Sequence, residues 1–273
     1  MQRIDLDRYA ARIGYGGGFA PTRAVLAALH RLHPQAIPFE NLDALCGIAP
    51  SLAPEDLQRK LLQGRRGGWC FEHNLLFWSV LETIGFRVGG LAARVLWQQP
   101  ADARPGRSHM LLRVESAEGP CLADVGFGGL TLTAPLSLEA DVVQDTPHGR
   151  YVLRRDRDVW QLDALLPQGP APMYRFDLSP QLPVDYAYAN WFLATNAASP
   201  FAGALVLARP VEDGRHSYRS GEYTWRPVEG LPHGQRLATP AALRALLESA
   251  FCIDVPAALD DARLASLLHN EPQ

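Results

Sequence analysis

One run of residues in the first third of the chain is apolar on every side, and it limits the possible folds more than any other feature. It begins near Trp69 and reads W-C-F-E-H-N-L-L-F-W-S-V-L-E-T-I up to Gly85. The spacing of its apolar residues predicts a helix, and a glycine is a typical residue at which a helix ends. A surface helix has only one apolar face, so this helix is predicted to be buried.

The sequence on either side of this helix carries different patterns. Residues 1–87 are mainly helical, residues 88–188 contain short strand-like runs separated by turn residues, and residues 189–273 mix strands and helices. The middle part is typical of an antiparallel sheet or a small barrel. We therefore predict an α+β fold in which a helical part, a β part and a mixed part follow one another.

Caps and breakers predict where several helices begin and end. One helix is expected to begin after the N-cap Thr22 and to stop before Pro34. Near the C-terminus, Thr239 is the expected N-cap of a helix with Pro240 at its first position. Residues 186–201 fit either a connecting helix or an irregular link.

Composition and charge exclude several classes of function. The net charge is −3 with no basic stripe, which argues against nucleic acid as a partner. No segment has the length of a signal peptide or a membrane span, so no membrane partner is expected. The cysteines are scattered without a C-x-x-C pair, which argues against a zinc site and a disulfide framework and fits a cytoplasmic protein. They are Cys46, Cys70, Cys121 and Cys252.

Cys70 lies where a glycine turn, R-R-G-G, becomes the buried helix. An ordinary thiol has a pKa near 8.5, so only about 3% is ionised at pH 7. The free N–H groups at a helix N-terminus favour the thiolate and can also hold an oxyanion. Gly67 and Gly68 would leave room for a substrate. Cys70 is therefore a candidate nucleophile, and a cysteine that merely packs at a helix start is the alternative.

A nucleophilic thiol needs a base, and His109 is the better candidate of two histidines. His73 is three residues from Cys70 on the same helix, but no carboxylate near it in sequence would orient it. His109 and Asp124 belong to a predicted hairpin with its turn around residues 116–119. They lie directly opposite each other if the turn is centred between residues 116 and 117, and diagonally if it comes one residue later. Either arrangement lets the carboxylate fix the tautomer of the histidine.

Four motifs, in this order along the chain, resemble those of the arylamine N-acetyltransferases. They are I-P-F-E-N-L-D, R-G-G-W-C-F-E-H-N, S-H-M-L-L-R-V and D-V-G-F-G. A fifth segment, A-N-W-F-L-A-T-N-A-A-S-P-F, resembles the interdomain segment of that family more loosely. The resemblance covers residues 37–201, whereas the last 70 or so residues match only in general character.

The resemblance implies a helical bundle at 1–87 that carries the nucleophile, a β-barrel at 88–188 that carries the histidine and the aspartate, and an interdomain segment and α/β lid at 189–273. It also implies a papain-like Cys-His-Asp site. By motif position its members are Cys70, His109 and Asp124.

The implied activity is acetyl transfer by a ping-pong mechanism, without a metal. Cys70 accepts the acetyl group from acetyl-coenzyme A (acetyl-CoA), the co-substrate, and the acetyl-cysteine then passes it to an arylamine, arylhydrazine or arylhydroxylamine, as in xenobiotic metabolism. By motif position, the residues expected to line the acceptor site are Phe39, Val95, Phe127 and Phe201. The residues expected to contact the coenzyme are Gly106, Thr195 and Ser199.

Three other functions fit the same residues. A papain-like or transglutaminase-like cysteine hydrolase shares the first half-reaction. An amide synthase of the same family, which closes a large ring, keeps the triad and differs in its substrates. A non-enzymatic binding module that retains the fold is the third. The sequence carries no indication of the oligomeric state.

Overall fold

The computed structural model of the chain describes residues 4–201 and 203–268. Most of the helices lie before residue 85 or after residue 239. The α-helices are α1 Leu6–Ile13, α2 Arg23–Ala36, α3 Leu42–Leu45, α4 Pro54–Leu57, α5 Cys70–Ile84, α6 Tyr186–Thr195, α7 Pro240–Ser249 and α8 Asp261–Leu268. A π-helical turn, Gln58–Gln63, follows α4, and a 3₁₀ turn, Pro183–Asp185, precedes α6.

The strands form two antiparallel sheets. They are β1 Phe39–Glu40, β2 Arg87–Val95, β3 Arg107–Ser116, β4 Gly119–Ala123, β5 Leu136–Ser137, β6 Val143–Thr146, β7 Gly149–Asp156, β8 Val159–Leu166, β9 Gly169–Asp177, β10 Val206–Val211, β11 Gly214–Arg219, β12 Glu222–Pro227 and β13 His233–Arg236. The larger sheet has the order β5-β4-β3-β2-β9-β8-β7-β6, and the smaller has the order β1-β10-β11-β12-β13.

The apolar helix α5 lies at the centre of the helical part, as its sequence predicts. Every residue from Cys70 to Leu81 is buried, and Gly85 ends the helix in the left-handed conformation with φ of 109°. The predicted end of α2 is wrong, because the helix continues through Pro34 to Ala36. Pro34 is buried, so apolar packing offsets the backbone hydrogen bond that a proline cannot donate.

The larger sheet curls into a nearly closed barrel. A side chain joins its two edge strands, because the Gln144 amide on β6 accepts a hydrogen bond from the Ser137 N–H (2.7 Å) and donates one to the Ser137 carbonyl (2.9 Å) on β5. The barrel interior is filled by a separate hydrophobic cluster that includes Leu111, Leu153 and Trp160.

The smaller sheet packs one face against α7 and α8, through a hydrophobic cluster that includes Leu207, Tyr218 and Leu247. Its edge strand β1 comes from the helical part of the chain and pairs with β10, with Phe39 opposite Ala208. The predicted cap of α7 is confirmed, because the Thr239 hydroxyl accepts a hydrogen bond from the Ala242 N–H and Pro240 is the first helical residue.

The predicted fold class, an α+β protein with a helical bundle, an antiparallel β-barrel and an α/β lid, is confirmed. Throughout residues 4–201 and 203–268, no helix combines the length and the apolar character needed to cross a bilayer.

Candidate active site

The first residue of α5 is Cys70, whose side chain points to the barrel. The residue is 6% exposed, and its Sγ lies 3.8 Å from the Ser108 carbonyl oxygen at the start of β3. The preceding residue, Trp69, has an extended backbone, and its N–H donates to the Glu72 carboxylate (3.1 Å). Glu72 therefore caps the helix, and the thiol faces the positive end of the helix dipole.

A hairpin formed by β3 and β4 brings His109 and Asp124 together. Its register pairs Ser116 with Gly119 and Leu112 with Ala123. The turn therefore comes one residue later than the directly opposed arrangement requires, and His109 and Asp124 form the diagonal pair. His109 Nε2 donates a hydrogen bond of 2.7 Å to Asp124 Oδ2. This leaves Nδ1 for the Cys70 thiol, which is close enough to raise the pKa of the His109 ring.

The charges of this pair reinforce each other among buried side chains, since His109 is 3% exposed and Asp124 is fully buried. Burial alone would lower the pKa of His109, but the Asp124 carboxylate and then the contact with Cys70 raise it to about 10. Burial alone would raise the pKa of Asp124, but His109 and the hydrogen bonds that its carboxylate accepts lower it. A protonated imidazole between a carboxylate and a sulfur is the state that this arrangement stabilises.

Two residues outside the sequence-predicted set hold Asp124 in place. The Asn74 amide donates to Asp124 Oδ1 (3.1 Å) and to the Met110 carbonyl (2.8 Å). The His30 ring accepts a hydrogen bond from the Asp124 N–H (3.0 Å). Asn74 follows Cys70 by one helical turn, so the two share a face of α5; that spacing was the signal in the sequence. Nothing in the sequence around His30 indicates its contact.

Glycines near the site allow close backbone packing. A Cβ atom on Gly126 would lie 2.8 Å from the Cα atom of Cys70, so only glycine permits this approach. A Cβ on Gly67 would lie 2.0 Å from the Pro38 carbonyl oxygen, and one on Gly68 would lie 2.7 Å from Glu72 Oε2. Both glycines are buried. The expectation that they leave room for a substrate is therefore wrong, because they make room for the protein itself.

His73 belongs to a different hydrogen-bond network. Its Nε2–H donates to the Pro38 carbonyl (3.1 Å), so its Nδ1 accepts from His33 Nε2–H (3.0 Å). His33 Nδ1 in turn accepts from the Tyr9 hydroxyl (3.0 Å). Burial lowers the pKa of His73 to about 4. With both ring nitrogens engaged and no charge, His73 has no free site for the proton of Cys70.

A buried cluster of charges lies behind the N-terminus of α5. The Lys60 ammonium bonds the carboxylates of Glu72 and Asp43, each at 2.7 Å. Arg66 pairs with Asp43 (2.6 Å) and with Glu40 (2.7 Å). Burial alone would lower the pKa of Lys60, but Glu72, Glu40 and Asp43 raise it. The only lysine of the chain thus neutralises the carboxylate that caps the helix of Cys70.

A large cleft between the barrel, α6 and the lid reaches Cys70 and His109. All four residues predicted to contact the acceptor line it: Phe39, Val95, Phe127 and Phe201. The Phe127 ring meets the His109 ring edge-on, with centroids 5.2 Å apart. Tyr174, which the sequence did not single out, lies against the same imidazole at 5.1 Å.

The three residues predicted to contact the coenzyme also line this cleft, in different environments. Gly106 is exposed in the loop before β3, and Thr195 is exposed at the end of α6. Ser199 is buried, and its hydroxyl donates to the Leu193 carbonyl (2.7 Å) while it accepts from the Phe201 N–H (3.2 Å). The donor capacity of Ser199 is thus used within the chain.

The described residues contain no group of three or more His, Cys, Asp or Glu side chains placed to hold a metal ion. The four cysteines are free.

Comparisons with known proteins find relatives that match most of the chain. A family model described as N-acetyltransferase matches residues 22–259. The arylamine N-acetyltransferase of Escherichia coli (strain K12) is 40% identical over 259 residues, which cover 94% of this chain and 90% of that protein.

Solved structures are similar over nearly the whole chain. The arylamine N-acetyltransferase of M. tuberculosis superposes with a TM-score of 0.92 at 38% identity, covering 96% of this chain and 100% of that one. The Mycobacterium marinum arylamine N-acetyltransferase in complex with CoA gives a TM-score of 0.92 at 37% identity and covers 97% of this chain and 98% of its own.

Proposed function

Because the chain belongs to the arylamine N-acetyltransferase family, we propose that it moves acetyl from acetyl-CoA to arylamines, arylhydrazines or arylhydroxylamines through an acetyl-Cys70 intermediate. The observation that carries this proposal is the hydrogen bond between Asp124 and His109, whose ring lies close enough to the Cys70 thiol for the sulfur to raise its pKa. The M. marinum relative was solved in complex with CoA, which supports a coenzyme A thioester as the donor.

In the first half-reaction, the Cys70 thiolate attacks the thioester carbonyl carbon of the donor. The new S–C bond leaves negative charge on the carbonyl oxygen, which the free N–H groups in the first turn of α5 stabilise. Collapse of this intermediate breaks the bond to the coenzyme sulfur. His109 gives its proton to that leaving sulfur, and Asp124 keeps the ring oriented.

In the second half-reaction, His109 is neutral and acts as the base. The amine attacks the carbonyl carbon of acetyl-Cys70 while His109 takes a proton from the amine nitrogen. The bond to Sγ breaks, the amide leaves, and the thiolate and the imidazolium are restored together. The raised pKa of His109 favours this final state, because the imidazolium remains charged beside Asp124.

The aromatic acceptor is proposed to lie against the apolar part of the cleft. Phe127 is the most direct contact, since its ring touches His109. Phe39 and Phe201 pack against each other with centroids 6.1 Å apart and line the same cleft. Together with Val95 they form walls suited to a flat ring.

The coenzyme is proposed to enter along the loop before β3 and the end of α6, past Gly106 and Thr195. Both are exposed on the cleft. Ser199 is proposed to shape the backbone there through its own hydrogen bonds. We propose no metal and no nucleic-acid or membrane partner for this reaction. A cytoplasmic role in the metabolism of foreign aromatic amines is part of the same proposal.

A cysteine hydrolase and a ring-closing amide synthase share these three side chains and remain second candidates. The aromatic rings that line the cleft beside Cys70 favour transfer to an aromatic acceptor over hydrolysis, because they are suited to bind a flat ring rather than water. A binding module without activity would not need a hydrogen-bonded Cys-His-Asp arrangement.

One experiment tests the proposal directly. The protein is mixed with acetyl-CoA alone and its intact mass is measured. We expect one acetyl adduct that maps to Cys70, is absent in Cys70→Ser and persists in the control Cys46→Ser. Addition of 4-methoxyaniline should remove the adduct and yield the acetylated amine. A hydrolase would lose the adduct equally fast with and without the amine, because water removes the acetyl group. Failure of the protein to form any adduct would refute the proposal.

A further inference from the structure

The face of the lid sheet that looks into the cleft is polar and cationic. Cross-strand pairs place Arg215 opposite Arg226, Ser217 opposite Thr224, and Arg219 opposite Glu222. Paired residues on neighbouring strands share a face. All of them line the cleft that also holds Cys70 and His109. The opposite face carries Tyr218 and packs on α7 and α8.

Arg215 is the unusual member of this face, because it is buried without a counter-charge. It is 4% exposed, and no carboxylate of the described residues lies within ion-pair distance of it. Its Nη2 donates a long hydrogen bond (3.4 Å) to the Tyr151 hydroxyl. Its Nη1 has no hydrogen-bond partner in the described part of the chain. A buried, unpaired guanidinium is among the costliest groups for a protein to keep.

The surroundings of Arg215 add positive rather than negative charge. Burial lowers the pKa of Arg215, Tyr151 opposes this, and Arg226 lowers the pKa further. His148 on the barrel side is neutral, since burial and then Arg215 lower its pKa. Arg226 and Arg219 form no ion pair with any described carboxylate, and Glu222, the acid of this face, pairs instead with Arg236 (3.9 Å).

This position is connected to the reaction centre. The Tyr151 hydroxyl, which accepts from Arg215, donates to the Leu130 carbonyl (3.2 Å). Leu130 ends the glycine-rich loop that carries Phe127 and follows Asp124. The guanidinium is therefore on the wall of the same cleft, one tyrosine away from the loop that borders the site.

We propose that Arg215 is the centre of an oxyanion-binding subsite for one of the two substrates, with Arg226 as its outer cation. The unpaired Nη1 supplies a donor fork that matches a phosphate or a carboxylate. The oxyanion is either a phosphate of the coenzyme or a carboxylate on the aromatic acceptor. This inference rests on the proposed function, because both sources are its substrates.

Ping-pong kinetics separate the two sources, since kcat/KM for each substrate reports only its own half-reaction. Arg215→Met keeps the aliphatic stem and removes the charge, Arg215→Lys keeps the charge and removes the fork, and the exposed Arg87→Met is the matched control. Donors are acetyl-CoA and the phosphate-free ester 4-nitrophenyl acetate. Acceptors are 4-aminobenzoate and the uncharged 4-methoxyaniline.

We expect Arg215→Met to lower kcat/KM by about tenfold or more for the substrate whose oxyanion Arg215 binds, either acetyl-CoA or 4-aminobenzoate. The loss should be smaller in Arg215→Lys and absent in Arg87→Met. A loss for acetyl-CoA but not for 4-nitrophenyl acetate identifies the coenzyme phosphate. A loss for 4-aminobenzoate but not for 4-methoxyaniline identifies the acceptor carboxylate. Values within twofold of wild type for all four substrates, or an equal loss for all four, would overturn the subsite.

Direct binding keeps the subsite testable if Arg215→Met does not fold or if the wild type proves inactive. Calorimetric titration of the wild type with inorganic pyrophosphate and with benzoate should detect binding of at least one anion, weakened in Arg215→Lys. Absence of binding by the wild type would contradict the subsite. An inactive wild type that binds the anion through Arg215 would refute the proposed function alone.

Discussion

At the scale of single residues, hydrogen bonds fix the orientation of each group at the site. Asp124 Oδ2 accepts from His109, and Asp124 Oδ1 accepts from the Asn74 amide (3.1 Å) and the Gly126 N–H (3.0 Å). Both oxygens of the Asp124 carboxylate thus accept hydrogen bonds from groups of the protein, so the carboxylate has one orientation. The imidazole then presents Nδ1 to Cys70 without a competing tautomer.

Asp124→Asn tests whether this orientation matters for the rate. The amide can still accept a hydrogen bond, but it cannot stabilise an imidazolium, so we expect turnover to fall by roughly a thousandfold or more. The fold should persist, as measured by circular dichroism. The control Asp163→Asn changes another buried carboxylate, in the barrel, and should retain turnover. Unchanged turnover in Asp124→Asn would contradict the role proposed for Asp124.

The raised pKa of His109 also predicts how stability depends on pH. The folded pKa of about 10 exceeds the unfolded value of about 6.5, so the stabilisation is complete below pH 6.5 and disappears as the pH rises toward 10. Asp124 has a lowered pKa, so its own share is lost in acid. The free energy of unfolding of wild type minus that of Asp124→Asn should therefore be largest near pH 6 and shrink toward pH 10. A difference that grows between pH 7 and pH 10 would contradict this assignment of charge.

The sequence alone singled out Cys70, His109 and Asp124, because each stands at a recognisable junction: a helix start, a strand start and a strand end. The residues that hold them were missed for a physical reason. His30 reaches the Asp124 N–H from a helix 94 positions away in sequence, and contacts of that separation depend on how the elements pack. Arg215 was missed for the same reason, since only the folded chain leaves it without a carboxylate.

At the scale of elements, caps in the sequence predicted where helices begin or end better than prolines predicted where they are interrupted. Thr22, Thr239 and Gly85 are caps whose chemistry acts over one turn, and each is where the sequence places it. Prolines were misleading. Pro34 lies within α2, and β9 contains Pro170 and Pro172. Tertiary packing outweighs the local preference of proline at these places.

The buried charge cluster behind α5 predicts that Lys60 supports the position of Cys70. Lys60→Met leaves Glu72 and Asp43 without their shared cation, and we expect it to cost about 3 kcal/mol of unfolding free energy and to lower turnover. Urea denaturation and the rate of acetyl-Cys70 formation measure both effects. Arg236→Met breaks an exposed pair in which both side chains are more than half exposed, so it should change stability by no more than about 0.5 kcal/mol. Equal effects of the two substitutions would show that the cluster does not support the helix.

At the scale of the whole molecule, the parts of the chain are joined more closely than their order in the sequence suggests. We propose domains at 1–87, 88–188 and 189–273, of which residues 1–3, 202 and 269–273 lie outside the described residues. The second boundary falls inside α6, so α6 links barrel and lid. The edge strand β1 belongs to the helical part but pairs with β10 of the lid, a long-range pairing that no local pattern predicts.

Asn41 connects the helical part to the start of the lid, and its loss should loosen that junction. Its amide donates to the Phe201 (3.2 Å) and Ala204 (2.8 Å) carbonyls, and its carbonyl accepts from the Val206 N–H (2.9 Å). Asn41→Ala leaves these backbone groups unpaired at a cost of about 2 kcal/mol. We expect hydrogen exchange at Val206 to speed up by more than tenfold, with little change in the barrel strands. Asn196→Ala removes an exposed side-chain contact to the Ala198 N–H and should leave that rate unchanged. Since β10 carries one wall of the cleft, a loosened junction should also lower kcat/KM for acetyl-CoA more than kcat/KM for 4-nitrophenyl acetate. Equal hydrogen exchange at Val206 in both variants would mean that strand pairing alone holds the lid.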